Sequence, residues 1–318
     1  MKNSIMYLVY VLILLSCNPS NKSYQTKFVS GSTNNKIEIL DFGGPGEPIL
    51  FLAGLGNSAH IFVDFAPKFS NKFHVYAMTR RGFGVSEQPA IGYKIDTLSM
   101  DILAVTKALK LDKVILIGHS IAGDEISKFA SSYPEKVSKV VYLDGGHDRS
   151  NLVTNVLSYS PTFPSPNTKD SSSFYNYKEF MTKTIGVNIP DEEIQNIAIF
   201  SNEGKFQKDV TPGEIKGKII SGVERPNYRS ITCPALSIYA IVNSVYTIFP
   251  FYDSLDVKNK LKADNCLTIF NNYTEEQIAL FKKEVKNGIV KEIKGAHHYV
   301  FISNPNETEK LIMEFLTQ

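Results

Sequence analysis

At 318 residues, 43% hydrophobic and 21% charged, the chain has ordinary globular composition and room for one large α/β domain or two small ones. Its formal net charge of +2, with no long Lys/Arg stripe, argues against nucleic acid as a partner. A core of this size needs neither a disulfide framework nor a structural metal to fold.

The N-terminus reads as a targeting segment. Lys2 precedes an apolar run over 5–15, too short for a comfortable membrane span, followed by Ser16 and Cys17. Leu14-Leu15-Ser16-Cys17 resembles a bacterial lipobox, in which cleavage before the cysteine accompanies its lipidation. Leu15 stands where a small residue is usual, and a plain cleaved signal with an incidental cysteine is the alternative. The expectation is a signal over 1–17, a polar tether over 18–26, and a protein lipid-anchored at Cys17 in the bacterial cell envelope. Periplasmic side and cell surface both remain open, as does oligomeric state. Of the remaining cysteines, Cys233 and Cys266, buried free thiols are a simpler reading than a bridge.

Beyond the tether, the stretch 27–41 carries Gly31-Ser32-Thr33-Asn34-Asn35 at its middle and predicts an antiparallel hairpin. Short apolar runs at 36–41, 48–53, 73–79, 113–118, 138–144, 234–240 and 289–294 predict strands. Val114-Ile115-Leu116-Ile117 and Val140-Val141-Tyr142-Leu143 are apolar on consecutive positions, as strands buried on both faces require. Helical spacing appears over 98–109 and 121–132, so strand and helix alternate and a mostly parallel sheet follows. The alternation stops after Asp144. Residues 145–230 are rich in Ser, Asn, Pro and Tyr, with weak helical patches near 173–184 and 190–200. That length is too great for an ordinary loop and predicts a mainly helical cap inserted into a core of 27–144 and 231–318. A second excursion over 241–288 predicts a helix over 274–286, stopped by Asn287-Gly288.

Gly118-His119-Ser120-Ile121-Ala122-Gly123 lies where an apolar strand meets an amphipathic helix. A serine on such a turn projects at the sheet edge, and the helix start leaves N–H groups free for developing negative charge. A hydroxyl is a poor nucleophile at neutral pH and needs a base. Gly295-Ala296-His297-His298-Tyr299, after the last strand, supplies candidates. A surface histidine pair, or a metal site shared with His147, is the bland alternative. No spaced ligand set accompanies the pair, so no metal is expected.

These segments carry a resemblance to the α/β-hydrolase superfamily that covers nearly all of the mature chain. Phe51-Leu52-Ala53-Gly54-Leu55-Gly56 resembles the oxyanion-loop segment. Arg80-Arg81-Gly82-Phe83-Gly84-Val85-Ser86-Glu87-Gln88-Pro89 resembles the loop after the fourth strand. The serine turn and the Gly-Ala-His-His segment then follow in the family's order. The resemblance implies Ser120 as nucleophile, His298 as base, and the N–H groups of Leu55 and Ile121 as oxyanion hole. Many relatives place the acid after the strand at 234–240, but Asn243 stands there. Asp144, at the end of the preceding strand, is the leading alternative, with Asp148, then Asp253 or no acid at all, behind it. Arg80, Arg81 and Ser86 read as loop braces, and His60 and His119 as packing or hydrogen-bonding residues. The aromatics Phe163, Phe174, Tyr175, Tyr177 and Phe180 read as the cap's own core or as a pocket lining. A serine nucleophile disfavours the branches that build an alkyl ester on a carboxylate. The implied activity is hydrolysis of a small-molecule carboxylic ester, in preference to an amide, without a cofactor. A catalytically weak envelope lipoprotein that only binds a ligand in the cleft is the second reading.

Overall fold

A computed structural model describes residues 23–152 and 156–318; the segment holding Cys17 lies outside them. Strand β1 (Gln25–Ser30) pairs antiparallel with β2 (Lys36–Gly43), as the hairpin motif predicts. Tyr24 is buried and β1 opens at Gln25, so the sheet takes up the end of the segment read as tether. There follow β3 (Pro48–Leu52), β4 (His74–Met78), β5 (Val114–His119), β6 (Val137–Leu143), a separate hairpin of β7 (Ala198–Phe200) and β8 (Phe206–Asp209), then β9 (Ala235–Ile241) and β10 (Gly288–Lys294). The main sheet has the order β1-β2-β4-β3-β5-β6-β9-β10. It is antiparallel as far as β4 and parallel beyond.

The consecutive apolar residues of β5 and β6 are buried on both faces. Ile115, Ile117, Val141 and Leu143 enter one core, and Leu116, Val140 and Tyr142 the other, the two-residue alternation of a covered parallel strand. Helices α1 (Ile95–Ala108) and α2 (Ala122–Ser132) close the second core. The first is closed by the turns between β3 and β4 and by the chain's last helix.

Between β6 and β9 lie α3 (Phe174–Ile185), α4 (Asp191–Ile197), the β7–β8 hairpin and α5 (Gly213–Ser221). The helical patch read over 190–200 is therefore a helix that gives way to a strand at Ala198. The cap aromatics divide between their two readings. Tyr177 stacks on Phe206 with ring centroids 4.0 Å apart, whereas Tyr175 is exposed. Phe163 turns away, edge-on to Phe249 at 6.0 Å. After β9, α6 (Val257–Glu284) begins well before the predicted Thr274, because Asp256 caps it by accepting the Asn259 N–H. Helix α7 (Pro305–Leu316) ends the chain. Cys233 and Cys266 are both free and buried, in different clusters.

The order β4-β3-β5 positions the site. The chain passes from β3 to β4, then returns to β5 on the other side of β3. Connections diverge at such a point, leaving a crevice beyond the carboxyl ends of β3 and β5.

Candidate active site

Ser120 follows the last residue of β5 at φ +54°, a left-handed conformation costly for a non-glycine residue. The turn is held on both sides. The Ser120 N–H donates to Leu143 O at 3.1 Å, and the Gly123 N–H donates to Ser120 O at 2.8 Å. Glycine at 123 is required by close approach, since a Cβ there would stand 2.0 Å from Gly145 O. Ala122, where the family pattern has glycine, is fully buried in the core beneath the turn, so its methyl group is accommodated.

Asp144 closes β6 in a second left-handed conformation, φ +45°. Both carboxylate oxygens are occupied: Oδ1 accepts the Ala240 N–H at 3.1 Å, and Oδ2 accepts His298 Nδ1–H at 2.6 Å. Burial pushes this carboxyl up, but the imidazoles of His147 and His298 outweigh it and hold the group well below the ordinary carboxylate range. His147 Nε2 stands 3.6 Å from Oδ1, beyond a good hydrogen bond. Arg149 braces the strained turn, donating to Asp124 Oδ2 at 3.0 Å, Gly145 O at 3.1 Å and Asp144 O at 3.3 Å.

His298 sits on the loop between β10 and the final helices, its side chain 40% exposed, and its Nδ1–H is committed to Asp144. The bond fixes the tautomer, leaving Nε2 as the acceptor. His119 donates from Nε2 to His298 O at 3.1 Å, and burial holds His119 neutral. Its ring fills the space under Gly54, where a Cβ would come 2.7 Å from His119 Nδ1. Burial also lowers His297, to about 4, so the residue beside His298 is neutral near pH 7.

Ser120, Asp144 and His298 line one cavity of about 420 Å³, walled chiefly by apolar side chains including Val156, Phe163, Ile248, Phe249 and Phe270. The Leu55 and Ile121 N–H groups make no hydrogen bond among the described residues, and Ile121 is the N-cap residue just before α2. Arg80 bridges their two segments: it donates to Ala53 O at 2.7 Å and, through Nε, to Glu125 Oε1 in α2 at 2.6 Å. Arg81 is fully buried against Asp101, and Ser86 donates to Thr79 O, so this loop braces its neighbours, as its sequence suggests. The other candidate acids stand elsewhere. Asp148 accepts from Ser150 and pairs with Arg225, Asp253 accepts from Tyr246, and Asn243 is an exposed residue beside Gly295.

A family model described as the alpha/beta hydrolase fold matches residues 47–230, from β3 through the cap. The chain belongs to the α/β-hydrolase family. It is 24% identical over 298 residues to a non-heme chloroperoxidase of Streptomyces lividans, covering 91% of this chain and 98% of that one. A 2-(acetamidomethylene)succinate hydrolase of Mesorhizobium japonicum is 31% identical over 101 residues, covering 32% of this chain and 36% of that protein. Among solved structures, E-2-(acetamidomethylene)succinate hydrolase superposes with a TM-score of 0.65 at 16% identity, covering 93% of this α/β-hydrolase and all of that chain. These structural likenesses speak for the fold.

Sequence reasoning did not single out Arg149 or Glu193. Arg149 is one basic residue in a polar insertion. Glu193 sits in the run Asp191-Glu192-Glu193, which reads as a solvated helix start, yet Glu193 is fully buried.

Proposed function

We propose that this α/β-hydrolase cleaves a small carboxylic ester by acyl transfer. Ser120 attacks the carbonyl while His298 Nε2 takes its proton, and the Leu55 and Ile121 N–H groups receive the oxyanion. His298 returns the proton to the leaving alcohol, then activates the water that releases the acid. Asp144 keeps the imidazole in its working tautomer and stabilises the imidazolium. The observation that carries the reading is the Asp144–His298 hydrogen bond of 2.6 Å in a cavity shared with a serine on a left-handed turn. The family membership and the hydrolase named among the relatives support the same class. Among the described residues the hydrogen-bond chain runs from Asp144 to His298 and Ser120 stands beyond it; in sites of this kind the serine–histidine contact tightens around substrate. The apolar walls favour a neutral acyl or aryl group.

The test is fluorophosphonate labelling together with hydrolysis of a short p-nitrophenyl ester, in the wild type and Ser120→Ala. Both signals fall by roughly 10⁴-fold or more in the variant if Ser120 is the nucleophile. A folded wild type that neither labels nor hydrolyses would sink the reading and leave ligand binding in the cleft.

A further inference from the structure

Helix α4 carries a carboxyl group into the interior of the core domain. Glu193 is fully buried, and its hydrogen-bond partners all lie in the loop that follows the oxyanion segment. Glu193 Oε1 accepts both Asn57 Nδ2 and the Ser58 N–H at 2.9 Å, and Oε2 accepts the Ser58 hydroxyl. Asn57 is tied twice more: its Oδ1 accepts the Tyr299 hydroxyl at 2.9 Å, and its N–H donates to Gly54 O at 3.3 Å. Leu55 thus lies inside a short turn, Gly54 to Asn57, whose closing residue is gripped by the cap on one side and by the neighbour of His298 on the other. None of the three donors to Glu193 is charged, and burial pushes its carboxyl up to about 7 against the opposing pull of these hydrogen bonds and of the His60 imidazole. An apolar side chain at this position would leave the buried Asn57 and Ser58 donors without an acceptor, so the carboxyl is what ties α4 to this loop.

We infer that Glu193 is a positioning residue: from the cap, it fixes the 54–58 loop so that the Leu55 N–H is aimed at the developing oxyanion. The inference rests on the acyl-transfer reading and deepens it, because it makes cap docking part of the assembly of the oxyanion hole. Preorganised donors act in the transition state, so loosening this loop lowers kcat while leaving KM nearly unchanged. A glutamine keeps the two contacts made to Oε1 and reverses the third. Its oxygen meets Asn57 and Ser58 N–H, and its NH₂ donates to the Ser58 hydroxyl, which already accepts the His60 N–H at 3.2 Å. An aspartate withdraws the carboxyl by one methylene and breaks them.

The experiment measures kcat and KM of the p-nitrophenyl ester for E193A, E193D and E193Q, with hydrogen exchange of the 54–58 peptide. Expected are losses of about 10- to 100-fold in kcat for E193A and E193D, E193Q within a few-fold of wild type, and faster exchange only in the first two. Unchanged kcat in E193A and E193D, or a loss confined to KM, overturns the inference. So does E193Q failing as badly as E193D. Should E193A not fold, the contrast of E193D with E193Q decides. If the wild type has no esterase activity, the acyl-transfer reading has failed separately, and the exchange data still decide whether Glu193 holds the loop.

Discussion

Asp144 combines three unusual features at one position: left-handed backbone, nearly complete burial, and a carboxyl held low by its imidazole neighbours. Asp144→Asn keeps the shape but presents an amide to His298 Nδ1, and an exchange of this kind costs about 10⁴ in kcat. Steady-state kinetics on the ester check this, and retention of full activity would move the acid elsewhere. The same group bears on stability. Its folded-state pKa lies below the ordinary value, so its contribution is present above the usual carboxylate range and is lost as pH falls through the depressed value. Wild type and Asp144→Asn should therefore converge in Tm as pH drops below about 4, and separate above it, where only the carboxylate stabilises. A gap that stays constant with pH would show that the charge is not what holds His298.

Elements with strong local signals were legible, and those fixed by tertiary contact were not. Strands β5 and β6 announced themselves through runs of apolar residues, and the serine turn through its place between strand and helix. Helix α6 was read at only its C-terminal end, since its first turns are polar with Val257 and Leu261 exposed, and only the small Ala263 and Cys266 mark their buried face. The strand at Ala198 follows the α4 helical pattern directly and is decided by its pairing with β8. Asp144 was legible as a strand-end carboxylate, whereas the role of Glu193 depends on partners more than a hundred residues away in the chain. The contact between α2 and the β6 turn gives a sharp test. Gly123→Ala sets a methyl against the Gly145 carbonyl, which is backbone and cannot step aside, so α2 must shift. A loss of about 1–3 kcal/mol in stability, with fluorophosphonate labelling reduced beyond what the lower Tm explains, is the expected result. An unchanged Tm would mean the elbow is looser than this approach implies.

For the molecule as a whole, none of the described helices is long and apolar enough to cross a membrane. We propose that the protein is attached to the cell envelope through a lipidated Cys17. Expression with labelled palmitate should give a labelled, membrane-fractionating protein, and Cys17→Ala should abolish both; a wild type that stays unlabelled removes the proposal. The architecture also divides its labour. Ser120 and His298 stand on the short connections at the ends of β5 and β10, while much of the cavity wall comes from the long crossover between β6 and β9 and from the segment after β9. The two sets of residues answer to different demands, one to reaction geometry and the other only to shape. Mutation can therefore redraw what enters the cavity while the reacting groups stay put, and a lineage carrying this scaffold can change its diet faster than its chemistry.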